Sequence, residues 1–339
     1  MRKVDTVTSA ATHPALHVPA RDIPVPRSLS PEAQAVLAAG VIPGANYPPL
    51  EDLDAWRAMI AQTSEFVLQL LPANALDSVV SEEIELGGVR TFRLTPREVD
   101  PEDPRVYLDL HGGALINGAG EACRVMAART AVRFGIRVCA PDYRMPPDHP
   151  YPTPLDDCVE AYRGLLEGHR AEQIVVGGGS AGGNLAAALI LRARDEGLPL
   201  PAASVLLSPE VDLTESGDSF QTMVGVDTMG GGASLMPANL LYANGHDLAD
   251  PYVSPLFGDF GAGFPPTLLT SGTRDVFLSN AVRMHRALRA AGIEAQLHVL
   301  EAAPHGGFVV DTPEERELDA EIRRFLASIL TPGATRSTG

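Results

Sequence analysis

The chain has 339 residues, enough for one large α/β domain with an added lid or for two smaller domains. Its formal net charge of −17 offers no basic footprint for nucleic acid and mildly repels anionic substrates. A hydrophobic content of 45% suits a sizeable globular core, and no apolar run nears the roughly 20 residues of a membrane helix. In chain order, residues 1–50 are rich in proline and alanine, and the first dozen are expected to be loosely attached. Ser30-Pro31-Glu32 reads as an N-cap followed by proline at the first helical position, opening a helix that Gly40 ends. A second helix is expected from Leu50 to Leu71, with Trp56, Ile60, Phe66, Val67, Leu70 and Leu71 recurring at three to four residues.

Strands follow. Val79–Leu86 and Val89–Leu94, joined at Gly87-Gly88, read as a hairpin. Strand and helix then alternate: strand 106–110, helix 121–134, strand 136–140, helix 154–167, a strand from Ile174, strand 203–208, strand 267–271, helix 279–291, strand 295–300 and helix 313–330. Such alternation predicts an α/β fold, an eight-stranded and mainly parallel sheet with helices on both faces and an antiparallel edge. The interval from Ser208 to Thr267 holds a helix-like run at Leu235–Asn244 but no clear strand, and a structureless connection of that length is improbable in a compact domain. It is expected to be the second half of a lid over the carboxyl ends of the strands, where open α/β sheets place ligands. The expected division is residues 1–75 as N-terminal segment and first part of the lid, 76–331 as catalytic domain with the insertion at about 212–250, and 332–339 as a flexible tail.

The stretch Ile174–Asn184 carries the chemistry. A short apolar strand enters it, Gly178-x-Ser180-x-Gly182 forms a sharp turn, and a helix-forming run leaves it. A serine there stands clear of the sheet in a strained backbone, at a helix N-terminus that favours negative charge. Alone, the pattern fits a phosphate-binding glycine turn equally well. A nucleophilic serine needs a base and a group to orient it, both later in sequence for this architecture. Asp275 follows strand 267–271 and His305 follows the last strand. Asp275 also suits an N-cap of helix 279–291, and His305 an ordinary turn. His298 lies inside a strand, and His246, His149 and His111 follow no strand in the right place. His111-Gly112-Gly113-Ala114, right after strand 106–110, reads as an oxyanion loop or as a plain glycine turn. In the first case the amides of Gly112, Gly113 and Ala181 supply three donors.

These motifs together resemble the hormone-sensitive-lipase family of α/β-hydrolases, in its bacterial esterase group. The resemblance rests on His111–Ala114, Asp142–Pro152, Gly178–Asn184, Ser208–Thr214, Asp275 and His305, and spans residues 75–330 in order and spacing. It implies Ser180 as nucleophile, His305 as general base then acid, Asp275 as its orienting partner, and Gly112, Gly113 and Ala181 as oxyanion hole. His111 is implied to brace the loop. It also implies a lid built from N-terminal helices and an insertion, and pairing of two copies through the last strand and final helix. The sequence departs from the family at Ala114, where a third glycine is usual, at Gly179 before the serine, and at Ser279, where a second acidic residue is common.

The expected activity is that of a serine carboxylesterase on short- to medium-chain alkyl or aryl esters, lactones or xenobiotic diesters, through an acyl-enzyme. The alternatives are an amidase or deacetylase with the same residues, and a non-catalytic ligand receptor on the same fold. Leu115, Ile116, Met223, Met229 and Leu235 are candidates to line an apolar substrate pocket, or equally to be core. No H-E-x-x-H, EF-hand or P-loop pattern occurs, so neither a metal nor a cofactor is expected. The three cysteines form no C-x-x-C and are expected to be free and buried. The start of the chain lacks the apolar run of a secretory signal, and a cytoplasmic protein acting on a small-molecule ester, with no membrane partner, is expected.

Overall fold

The computed structural model describes residues 15–42, 44–71 and 74–330. The expected looseness of the first dozen residues and of the tail 332–339 falls outside them. Helix α1 (Pro31–Ala38) opens on Ser30, whose side chain accepts the Ala33 amide. Helix α2 (Leu53–Leu70) starts later than its apolar pattern suggests, because Asp52 caps it by accepting the Ala55 amide at 3.0 Å. Trp56 is fully buried, stacked on Tyr47 with its indole N–H donating to the Pro49 carbonyl at 3.0 Å.

The sheet comprises β1 (Val79–Leu86), β2 (Val89–Pro96), β3 (Val106–Leu110), β4 (Arg137–Pro141), β5 (Ile174–Gly179), β6 (Ala203–Leu207), β7 (Thr267–Gly272) and β8 (Ala295–Leu300). Their order across it is β1-β2-β4-β3-β5-β6-β7-β8. The β1–β2 and β2–β4 pairings are antiparallel and all others parallel, as the alternation predicts. Helices α3 (Glu121–Phe134), α4 (Thr153–Gly168) and α5 (Ala181–Asp195) connect the central strands. Residues on the two sheet faces fall into two separate apolar clusters. One holds Leu108, Val176 and Leu206 with α4 and α5, the other Tyr107, Val175 and Val205 with α3 and the C-terminal helix. That alternation along single strands is the period-two signature of a sheet covered on both sides.

Between β6 and β7 the chain forms no strand among the described residues. It makes α6 (Ser219–Thr222), α7 (Met236–Ala243) and short 3₁₀ turns, before α8 (Leu278–Ala290) and the final α9 (Pro313–Leu330). Trp56 of α2, Ile116 of the loop after β3, and Ala238 and Leu241 of α7 share one apolar cluster. The N-terminal helix and the insertion are therefore packed on each other and on that loop. The insertion is also sewn to the start of α8. Ser219 and Ser279 exchange amide-to-hydroxyl bonds at 2.9 Å each, and the Ser219 hydroxyl donates to the Val276 carbonyl at 2.6 Å. Cys123, Cys139 and Cys158 are all buried and free. No described helix is long and apolar enough to cross a membrane.

Candidate active site

Strand β5 runs buried into the turn, Ser180 takes φ 55° and ψ −123°, and α5 begins at Ala181. A side chain at such a positive φ is strained, so neighbouring bonds must hold it. The Ser180 amide donates to the Leu207 carbonyl at 2.9 Å, and its carbonyl accepts from the amides of Gly183 at 2.9 Å and Glu210 at 3.1 Å. The glycine two residues on is dictated by contact: a Cβ at Gly182 would collide with the carbonyl oxygen of Leu110 in β3. Nothing larger than hydrogen lets helix and strand approach this closely.

The three residues predicted to act together do meet. Ser180 Oγ lies 2.9 Å from His305 Nε2, and His305 Nδ1 lies 3.1 Å from Asp275 Oδ1. Asp275 is fully buried. Its Oδ2 accepts from the Ser271 hydroxyl at 2.7 Å, and its Oδ1 also accepts from the Phe277 amide at 2.9 Å. The N-cap reading of Asp275 does not hold, because α8 begins at Leu278 with Phe277 at the cap position, and Asp275 instead faces the imidazole. Phe277 sets its ring edge-on against the imidazole, with centroids 4.7 Å apart. His298 sits within β8, away from this group.

Burial alone would lower the His305 pKa, but the carboxylate of Asp275, with Asp227 nearby, holds it above its usual 6.5. Burial would raise Asp275, yet the imidazole, the Phe277 amide and the Ser271 hydroxyl keep it below the ordinary carboxylate range. An ionised Asp275 accepts a proton-bearing Nδ1, which leaves the Nε2 lone pair facing Ser180.

The loop after β3 lies against the serine. A Cβ at Gly112 would stand 2.8 Å from the Gly179 carbonyl oxygen and 3.4 Å from Ser180 Cβ. Among the described residues the amides of Gly112, Gly113 and Ala181 donate to no protein acceptor. Gly113 has φ 133°, and Ala114 and Leu115 also take positive φ, 54° and 62°. The loop therefore keeps its unusual shape even where a third glycine is missing. His111 stacks on Tyr143 with centroids 4.1 Å apart, its Nδ1 lies 3.0 Å from the Gly112 carbonyl, and the Tyr143 hydroxyl donates to the His111 carbonyl at 2.7 Å. Burial pushes its pKa down to about 4, so it stays neutral. It braces the loop.

A cavity of about 180 Å³ opens beside His305, lined in part by Tyr47, Met229, Leu235, Val276 and Phe277. Of the pocket candidates, Met229 and Leu235 are brought here. Leu115 and Ile116 are buried in two core clusters, the other reading the sequence left open. Met223 presents its carbonyl to Gly232, one residue of the cavity wall.

Sequence reasoning missed three buried groups. Asp227, fully buried in the insertion, accepts the amides of Met229 and Val276 at 2.8 Å each and that of His305 at 3.2 Å. Glu210 is fully buried beside Asn239, and burial pushes its pKa up to about 8. Asn184 donates to the carbonyls of Glu210 at 2.8 Å and Val253 at 2.9 Å, tying α5 to the insertion. Glu210 and Asn184 stand inside motifs quoted for the family resemblance, whereas Asp227 lies in none. His111, Cys123 and Asp142 place ligand-type atoms within 4.8 Å of one another. There Asp142 already accepts the Gly120 amide at 2.7 Å and pairs with Arg90 at 3.0 Å, and burial raises the Cys123 thiol well above its usual value.

A family model described as the α/β hydrolase fold matches residues 107–309. An acetyl-hydrolase of Streptomyces hygroscopicus is 36% identical over 192 residues, 56% of this chain and 64% of its own length. An esterase of Acinetobacter venetianus is 29% identical over 266 residues, 77% of this chain and 86% of that protein. Among solved structures, an esterase at 37% identity superposes with a TM-score of 0.85 and covers 94% of this chain and 99% of its own. Another, an esterase from the bacterial hormone-sensitive-lipase family at 32% identity, gives 0.74 and covers 89% and 99%. With motifs, sheet order and elbow in agreement, the chain belongs to the hormone-sensitive-lipase family of α/β-hydrolases.

Proposed function

We propose that this carboxylic ester hydrolase is a serine esterase for small esters, working through an acyl-enzyme formed on Ser180. The observation that carries the reading is the unbroken chain of contacts from Ser180 Oγ through His305 to the buried Asp275, at 2.9 and 3.1 Å. His305 Nε2 takes the hydroxyl proton as Oγ attacks the carbonyl carbon. Charge then develops on the carbonyl oxygen, where the amides of Gly112, Gly113 and Ala181 stabilise it. Losing one such donor typically costs about 10²–10³ in rate. The imidazolium, steadied by Asp275, gives its proton to the departing alcohol. Water repeats the cycle on the acyl group and restores the serine.

The N-terminal helices and the insertion form the lid, and the cavity they close beside His305 sets the substrate size. At about 180 Å³ it holds only a short chain, well below the roughly 300 Å³ at which drug-sized pockets begin. Short acyl esters, acetate to hexanoate, are the substrates it fits. A series of p-nitrophenyl esters from acetate to decanoate, beside matching anilides, tests this. Activity should peak within the short esters and fall steeply by decanoate, with anilides far slower. Equal rates on anilides would favour an amidase, and no turnover of either would favour a receptor. Ser180→Ala should reduce ester turnover by at least about 10³-fold with the fold intact. Retained turnover would remove the assigned nucleophile.

A further inference from the structure

One side chain of the insertion bonds the backbone on both sides of the candidate catalytic pair. Asp227 lies two residues before the cavity wall at Met229 and is fully buried. Its Oδ1 receives the backbone N–H of Met229 and that of His305, and its Oδ2 receives the N–H of Val276, the residue next to Asp275. The loop bearing the base and the loop bearing its orienting carboxylate follow different strands, β8 and β7. Among the described residues, Asp227 is the one side chain that accepts backbone amides from both. A buried carboxylate that accepts three amides is a demanding arrangement, since each lost bond leaves a buried donor unpaired.

We propose that Asp227 is a positioning residue for hydrolysis: from the insertion it fixes the His305 and Asp275 loops in register, and its negative charge favours the imidazolium formed during the reaction. This rests on the Ser180–His305–Asp275 reading above. The charge enters because two carboxylates act on the imidazole, Asp275 from the loop after β7 and Asp227 from the insertion. Glu210, also of the insertion, lies near them, but burial pushes its pKa up to about 8 and keeps it neutral where the imidazole titrates. Tyr47 faces the same cavity from the N-terminal segment.

Asp227→Asn keeps the shape but swaps one acceptor oxygen for a donor, which must face at least one of the three amides. On p-nitrophenyl butyrate its kcat should fall about ten-fold or more while KM changes less than three-fold, because a sub-ångström misplacement of the base costs rate rather than binding. The acid limb of its pH–rate profile should move to lower pH, since a negative neighbour of the imidazolium is gone. Asp227→Ala should be slower still, and added formate, which can occupy the emptied carboxylate site, should restore part of its rate. A kcat of Asp227→Asn within two-fold of the parent, or an acid limb that stays in place, overturns the proposal. Should Asp227→Ala fail to fold, the near-isosteric Asn variant decides alone. Ser180→Ala measured in parallel separates the two claims. Its loss of turnover beside an unaffected Asp227→Asn would sink the role of Asp227 only, whereas its retained turnover would sink both.

Discussion

At the scale of single residues, the imidazole decides when the enzyme works. In the proposed reaction His305 must be neutral to accept the serine proton, and the carboxylates of Asp275 and Asp227 hold its pKa above 6.5. The kcat/KM for a neutral ester should therefore fall on the acid side with a midpoint above 6.5, tenfold per pH unit below it. A stopped-buffer profile from pH 5 to 9 measures it, and a flat profile would exclude a histidine base. Ser180, Asp275 and His305 were legible in the sequence because chain order and strand-end position constrain them strongly. Asp227 was not, because its partners are backbone amides, which carry no residue signature. Leu115 and Ile116 were left between pocket and core, since hydropathy does not say which way a side chain points. The structure buries both, in two separate core clusters.

At the scale of elements, the elbow depends on how closely β3, β5 and α5 approach one another. A methyl at residue 182 would strike the Leu110 carbonyl. Because that atom belongs to the central sheet, it cannot rotate away as a side chain would. Gly182→Ala should cost about 1–3 kcal/mol or more, seen as a drop of several degrees in Tm. It should also lower kcat, since Leu110 leads straight into the Gly112–Gly113 loop. An unchanged Tm and kcat would contradict this packing. The strands were readable almost to the residue, because their apolar alternation is bounded by glycine and proline. The insertion between β6 and β7 was readable as an interruption with one helix-like run at 235–244, which α7 matches. Its two helices are short, and bonds such as the Ser219–Ser279 exchange, formed between distant positions, fix its place.

At the scale of the whole molecule, stability and pH are linked through the buried carboxyls. Glu210 has a folded-state pKa of about 8 against an ordinary 4.5. Below pH 4.5 both states hold the proton and the group is neutral to stability. Between about 5 and 8 the unfolded chain releases a proton that the folded one retains, so stability falls as pH rises through this window. Glu210→Gln cannot ionise, and its Tm should decline less between pH 5 and 8 than that of the parent, by several degrees at the upper end. Parallel Tm curves for the two proteins would show that Glu210 does not titrate as its burial requires. The net charge of −17 adds self-repulsion in the same direction.

The link from Asp227 to the His305 and Val276 amides also bears on redesign. Grafting the stretch between β6 and β7 from a relative is an obvious way to transplant selectivity for bulkier acids or alcohols. In this scaffold the transplant would remove an anchor of the machinery along with the pocket wall. A donor segment lacking a carboxylate at the matching place would yield a chimera that binds the new ester yet turns it over slowly. Restoring that one acid, rather than reshaping the walls again, would be the first repair.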